Sequence, residues 1–495
     1  MNVNNLMDFA IFGETAVDQK ISIERNTRLA QMQVRIDAFQ RTLMYFSDII
    51  TDLTNHGARL FWVGGIVRDA YRGVPFNEAD IEVHGISGGK LAEILGKWGH
   101  VSLVGASFGV YKLFSLPVDW SLPRTDARNG GRHPDVSFLQ NMNLYAAAAR
   151  RDVTINALMI DIVSNESYDF FNGFDDIDRG VLRACDETFF GDDPLRLYRV
   201  MQFVGRFEFF VDDSLNAICA GMDVSKVSRE RVEEEFKKLF FLSKRPSLGL
   251  RWLKSVGVLD TIFPELGCLS TVSQKKEWHP EGSVFEHTMQ TLDAAAHYTY
   301  ASDEQKLDML YAALCHDMGK ALVTDTTSGK SHGHDEAAVP VVKSFMRRIM
   351  HNQKHIDRVV GLVRYHMMPL HFYKQNVSLR AFKRLAIKTA AYGVCLNDLA
   401  ILTRADALGR NGAFCEPLTP FDIDMTVVEF FTKHADIATV LTAPLERLVL
   451  GRDLMPIIAP GPKLGEALAY AYELQIEKDI TDKQELIAQT LRKYV

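Results

Sequence analysis

The apolar pattern of this chain changes character once, and that change limits the architecture more than any other feature. Between residues 56 and 165 the apolar residues come in short runs punctuated by glycine: Leu60–Val63, Ile81–Val83, Gly109–Phe114 and Ala157–Asp161. Short runs of this kind, alternating with helical patterns, predict a mixed α/β unit. From about residue 186 the periodicity is helical and stays so to the end. Residues 1–55 read as amphipathic and helical and carry no recognisable motif. Residues 324–336 read as a polar loop around Gly329 and Gly333. At 495 residues the chain suggests about three domains.

Composition narrows the partners. Fifty-six basic against 63 acidic residues leave a net charge of −7, so any nucleic-acid surface must be local. Two basic stretches are candidates: residues 226–254, with nine Lys/Arg against four Glu, and residues 341–390, with eleven Lys/Arg and Asp357 as the one acid. The cysteines at 185, 219, 268, 315, 395 and 415 form no CxxC pair. That argues against a thiolate zinc site and for a reducing, cytoplasmic compartment. Met1–Asp8 shows no signal-peptide pattern, and no run of about 18 apolar residues suggests a membrane span.

The first chemical constellation begins at Gly64-Gly65, between the Leu60–Val63 run and Ile66-Val67-Arg68-Asp69. Paired glycines let the backbone approach a phosphate, and a helix starting just after them would favour one. In a strand, Glu78, Asp80 and Glu82 share one face. Paired carboxylates there are able to hold two divalent ions; a solvated acidic edge strand has the same pattern. Asp119 lies in another strand-like run. Arg150-Arg151-Asp152-Val153-Thr154-Ile155-Asn156 adds cations and donors. Asp193, Arg196 and Arg199 follow at i, i+3 and i+6, on one helix face.

The series Gly64-Gly65-x-x-Arg68-Asp69, Glu78-Ala79-Asp80, Arg150-Arg151-Asp152-x-Thr154-Ile155-Asn156 and Asp192-Asp193-x-x-Arg196 resembles class II tRNA nucleotidyltransferases and bacterial poly(A) polymerases. The resemblance implies an α+β fold: a nucleotidyltransferase head with a small mixed sheet, then helical neck, body and tail. It implies CCA addition to tRNA 3′ ends from CTP and ATP, with poly(A) or single-A addition as alternatives. Glu78, Asp80 and Asp119 would be the catalytic acids, with Glu78 and Asp80 holding Mg²⁺, or Mn²⁺ as an alternative. Gly64, Gly65, Arg68, Asp69, Arg151, Asp152, Asn156, Asp193, Arg196 and Arg199 would form the nucleotide site. Asp193 and Arg196 would select the base, since arginine offers only donors and a carboxylate only acceptors. Three positions depart from the pattern: Glu78 for Asp, Gln202 for Arg and Asp192 for Glu. The extra methylene of Glu78 bears on a metal that demands near-ideal octahedral geometry.

The second constellation is His287, His316-Asp317 and Asp406. Imidazole and carboxylate ligands suit a transition metal; a satisfied polar pair on an apolar helix is the plainer reading. In order and context the four resemble the HD phosphohydrolases, and His334 and His366 match further histidines of that superfamily. The expected division is 1–55 helical extension, 56–185 head, 186–265 neck, 266–425 HD domain and 426–495 tail. A further alternative is a metal-dependent phosphohydrolase whose head is only a degenerate nucleotide sensor.

Overall fold

The computed structural model describes residues 16–104, 109–127, 135–138 and 141–495. The expectation made for Met1–Asp8 concerns a segment outside the described residues. The chain divides into two compact units, one of residues 1–196 and 209–222, the other of residues 197–208 and 223–495.

The first unit is α+β. Its strands are β1 Arg59–Val63, β2 Ala79–His84, β3 Val101–Val104, β4 Val110–Leu113, β5 Val118–Ser121, β6 Arg124–Ala127, β7 Asp135–Phe138, β8 Met159–Asp161, β9 Ser167–Tyr168, β10 Val181–Leu182 and β11 Phe210–Val211. Seven form one mixed sheet in the order β3-β4-β5-β2-β1-β8-β9. β2 and β5 run parallel, and the other pairs are antiparallel. Both faces of β1 are covered, which is why it reads as an unbroken apolar run. Phe61 and Val63 pack with Ala148, Ala157 and Met159. On the other side Trp62 stacks on Phe46 at 5.3 Å and meets Phe39 edge-on at 6.1 Å. Those two rings come from the helices Ala16–Thr42 and Phe46–Asn55, so the N-terminal segment completes the core of the head.

Register decides where the chemistry gathers. Val63, at the end of β1, pairs with Asp80 of β2 and with Met159 of β8. Asp80 in turn pairs with Asp119 of β5. The Gly64 turn and two carboxylates are thereby fixed at one end of adjacent strands.

The chain beyond residue 186 is not wholly helical. β11 returns to pair in parallel with β10. A two-residue strand has no periodicity by which sequence could have revealed it.

The second unit is helical. Its helices Val284–Ala296, Asp303–Cys315, His334–Ile349, Gln353–Tyr365 and Leu396–Leu408 surround a core that includes Met289, Leu310, Phe345, Val359 and Leu402, each 0% exposed. Helix begins at His334, inside the expected loop, so that loop ends at 333. The acidic first turn, Asp335 and Glu336, favours a helix start there. The C-terminal helices Pro462–Glu477 and Lys483–Tyr494 enclose a smaller core of Leu454, Ala467, Leu474 and Leu486.

Candidate functional site

In the head, Gly64 adopts φ +67°, where a side chain is strained, and caps the helix Gly65–Arg72. A Cβ at Gly64 would stand 3.3 Å from Arg151 Nη1, and one at Gly65 3.6 Å from Arg68 Nη2. Two guanidiniums therefore flank the paired glycines. Arg68 is buried. It donates through Nε and Nη2 to the two carboxylate oxygens of Asp69, 2.8 Å each, and through Nη1 to Asn156 Oδ1. Asn156 Nδ2 donates to Asp152 Oδ1 at 2.9 Å. Asp69, Asp152 and Asn156 are thus buried supports behind the two arginines.

Glu78 and Asp80 are exposed, Glu78 just ahead of the strand and Asp80 on it. Loss of hydration around its carboxyl raises the pKa of Asp80 above the usual range. Repulsion from Asp119 and Glu78 adds to this, and Arg151 and Lys112 oppose it. Lys112 Nζ reaches Asp119 at 3.2 Å. The three acids are an all-oxygen donor set with surplus negative charge, which fits a hard divalent cation. Glu82 does not share this exposed patch. It is buried, accepting from Arg151 Nη2 at 2.8 Å and lying 2.9 Å from His84 Nε2. A strand face can pass from solvent into the core along its length, and β2 does so between Asp80 and Glu82.

Asp193 Oδ1 accepts from the Leu195 backbone N–H at 3.1 Å, capping the helix Leu195–Phe207. Arg196 is buried and donates to the carbonyls of Phe189 at 2.8 Å and Arg150 at 2.6 Å. Arg199 belongs to the second unit, where it lies 3.9 Å from Glu235 and over the Phe203 ring. Gln202 is 2% exposed, and its Oε1 lacks a partner. Burial removes it from any role in reaching phosphate.

The helical unit gathers the second constellation in its interior. Among the described residues three ligand triads form there, His287 with His316 and Asp406, Asp317 with His334 and His366, and His279 with Glu281 and His287; within each, the ligand atoms lie within 4.8 Å of one another. His287 Nε2 is 2.9 Å from Asp406 Oδ1 and 3.8 Å from Asp317 Oδ2. His316 Nε2 is 3.3 Å from Asp317 Oδ2, and His334 Nε2 is 3.4 Å from Asp317 Oδ1. His366 Nε2 is 3.1 Å from His334 Nε2. Each imidazole turns its Nδ1 toward a backbone carbonyl: Gly409, Ala313, Ser331 and Val363. That places the proton on Nδ1 and aims the Nε2 lone pairs inward, the orientation that metal-binding histidines take. His316 Nε2 is buried with no hydrogen-bond partner. Imidazole nitrogens and carboxylates converging at these distances fit a shared cation, and the N/O donor set fits a transition metal.

The field agrees. Burial works against protonation of His287, yet Asp406 and Glu281 outweigh it and lift the pKa to about 9. Burial and the neighbouring His334 and His316 push His366 down to about 4. Burial also opposes ionisation of Asp317, but His316 and Lys320 hold it well below the carboxylate range.

Some participants escaped the sequence reading. Glu281 Oε1 lies 2.9 Å from both His279 Nδ1 and His287 Nδ1. Lys320 Nζ reaches Asp317 at 2.7 Å and Arg410 Nη2 reaches Asp406 at 3.1 Å. The i,i+3 and i,i+4 spacings of those two cations were the available signal. Within the expected basic face at 341–390, most cations have an acidic partner. Seven of its eleven cations are ion-paired: Arg348, Lys354, Arg358, Arg364, Arg380, Lys383 and Arg384. The acids come from distant sequence, so a local charge count misleads.

Among known proteins, residues 60–183 match the poly A polymerase head domain. Residues 213–269 match the probable RNA and SrmB-binding site of polymerase A, and residues 284–409 match the HD domain. The chain is 30% identical over 299 residues to the multifunctional CCA protein of Pasteurella multocida (strain Pm70), covering 59% of this chain and 69% of that protein. Its fold is similar to that of the Bacillus stearothermophilus CCA-adding enzyme in complex with CTP, at TM-score 0.61 and 18% identity, covering 90% of this chain and 96% of that one. It is also similar to the Thermotoga maritima CCA-adding enzyme complexed with tRNA_CCA, at TM-score 0.56 and 17% identity, covering 95% and 98%.

Proposed function

The chain belongs to the family of CCA-adding enzymes and poly(A) polymerases that carry an HD domain, and on that premise we propose that it adds CCA to tRNA 3′ ends from CTP and ATP without a nucleic-acid template. The observation that carries this reading is the register of β1, β2 and β5, which sets Asp80 beside Asp119 at the Gly64 turn. Glu78 and Asp80 would hold divalent ions, Mg²⁺ or Mn²⁺, which would supply Lewis acidity to nucleotidyl transfer, with Asp119 as the third catalytic acid.

The chain's own residues do the rest. The first N–H groups of the Gly65–Arg72 helix receive the triphosphate, and Gly64 keeps that approach open. Arg68 and Arg151 add charge on either side; Asp69 and Asn156 hold Arg68 from behind, with Asp152 behind Asn156. Asp193 and Arg196 choose between cytosine and adenine by hydrogen bonding. We divide the chain into extension 1–55, head 56–185, neck 186–265, HD domain 266–425 and tail 426–495, working in the cytoplasm.

A second activity is favoured by one specific observation, the buried ligand triads of the HD domain. With a transition metal held by His287, His316, Asp317 and Asp406, and with His334 and His366 beside them, the domain would hydrolyse phosphoesters.

The test is nucleotide addition to a tRNA lacking its 3′ CCA, with Mg²⁺ and with CTP and ATP singly and together, resolved to one nucleotide. Addition of C, C and A followed by a stop is the expected product. A long A tail, or A added only to a CC end, moves the assignment to the poly(A) or A-adding alternative. No addition with either Mg²⁺ or Mn²⁺ overturns it.

A further inference from the structure

We propose that Glu82, backed by His84, is a positioning residue for nucleotide binding: it holds the Arg151 guanidinium at the Gly64 turn and keeps it off the metal-binding carboxylates. The inference rests on the reading of the head as a nucleotidyltransferase and adds a residue to which that reading gives no role.

Three side chains form a line. His84 Nε2 lies 2.9 Å from Glu82 Oε1, and Glu82 Oε2 accepts from Arg151 Nη2 at 2.8 Å. His84 is itself set by its Nδ1, 3.3 Å from the Met142 carbonyl, and by edge-on packing against Phe61 at 5.3 Å. Glu82 is 7% exposed and His84 5%. Arg151 completes its attachment with a longer contact from Nη1 to the Asn156 carbonyl, 3.5 Å, while its Nε is buried without a partner. Most of what fixes this guanidinium is therefore Glu82. A charge-assisted bond in a poorly hydrated site has both the strength and the directionality for that task.

The position matters because Arg151 has rivals for partners. Its charge is felt at Asp80, two residues along the same strand. A guanidinium released from Glu82 finds Asp80 and Asp119 within the same group of acids. Paired with them it would occupy the oxygens that bind metal and leave the triphosphate without its second cation. Glu82 gives Arg151 a carboxylate that binds nothing else in the reaction. It also offsets one positive charge beside the metal acids.

A structural ion pair would look the same in a static structure, so the test has to separate the two. The full-length protein and the variants Glu82→Gln, Arg151→Gln and the double variant are compared for the KM of CTP and ATP, kcat and the Mg²⁺ concentration for half-maximal rate. Glu82→Gln keeps shape and removes charge. The expected result is a KM raised about tenfold for both nucleotides, with a smaller change in kcat and a higher Mg²⁺ requirement. In the Arg151→Gln background the same change should add less than about twofold, because coupled residues are non-additive. A KM equal to wild type, or equal effects of Glu82→Gln in both backgrounds, overturns the proposal. So does a loss of activity that merely follows a loss of thermal stability. If the wild-type chain adds no nucleotide, the transferase reading fails separately. The same four proteins are then compared by equilibrium binding of CTP and ATP, where the coupling between Glu82 and Arg151 is either present or absent.

Discussion

The head and the HD domain each assemble acids for a cation, and they do it in opposite ways. The head sets Glu78 and Asp80 at the end of a central strand, where partial loss of hydration and repulsion from Asp119 and Glu78 act on Asp80 and are opposed by Arg151 and Lys112. The HD domain buries most of its set: His287 is 0% exposed, His316 1% and Asp317 2%, with Asp406 half-buried. Among the described residues its triads already bring ligand atoms within 4.8 Å. A set of carboxylates open on the solvent side suits ions that arrive and leave with a nucleotide, since Mg²⁺ retains several waters. A buried set with fixed imidazoles suits an ion that stays, because its ligands are oriented before it binds.

That contrast breaks most sharply by mutation. Asp80→Ala should reduce nucleotide addition by about a thousandfold or more while leaving metal-dependent phosphoester hydrolysis intact. His316→Ala combined with Asp317→Ala should do the reverse, with loss of tightly bound metal by elemental analysis. Addition that survives Asp80→Ala would remove the metal assignment in the head.

The next effect tests Glu78. Glu78→Asp withdraws the carboxylate by one methylene and should raise the rate with Mg²⁺ relative to Mn²⁺ by about tenfold, because Mg²⁺ tolerates misplacement less. An unchanged Mg²⁺ to Mn²⁺ ratio would show that the longer side chain already reaches its ion.

Protons separate the two sites as well. His287 has a raised pKa of about 9, so in the metal-free protein it is protonated at neutral pH and metal must displace that proton. Affinity at the HD domain should then rise about tenfold per pH unit up to about pH 9. The same shift means that metal-free stability is greatest below the unfolded pKa of histidine and falls as pH rises through about 9. Calorimetry in buffers of different ionisation enthalpy measures the protons released.

The smallest effect concerns the paired cations. Arg348→Ala and Arg384→Ala should change the KM for tRNA by less than about twofold, because each already neutralises an acid: Glu265 for Arg348, Glu473 and Glu477 for Arg384. A larger change, with a shallower salt dependence, would return this stretch to the RNA interface.

Much of this was legible in sequence because the motifs are local. Gly64-Gly65, Glu78-Ala79-Asp80 and His316-Asp317 each sit within one turn or strand, where spacing alone sets geometry. The strands near Leu60, Ile81, Val110 and Met159 announced themselves by apolar runs. The partners were not legible, because they come from elsewhere in the chain. Nothing near Glu82 in sequence points to Arg151, 69 residues on. Nothing in residues 341–390 shows that Glu265, Glu304 and Asp308 will cancel their charge.

The sequence by itself determined the family and which side chains are candidates for its chemistry, since residue type and short spacing are properties of the chain. Tertiary structure alone decided how each charge is used. It exposed Asp80 and buried Glu82 on the same strand, and it turned His334 from an expected loop residue into part of a buried triad. Register and helix packing set those outcomes, because the energy of a charge depends on what surrounds it in space rather than on its neighbours in the chain.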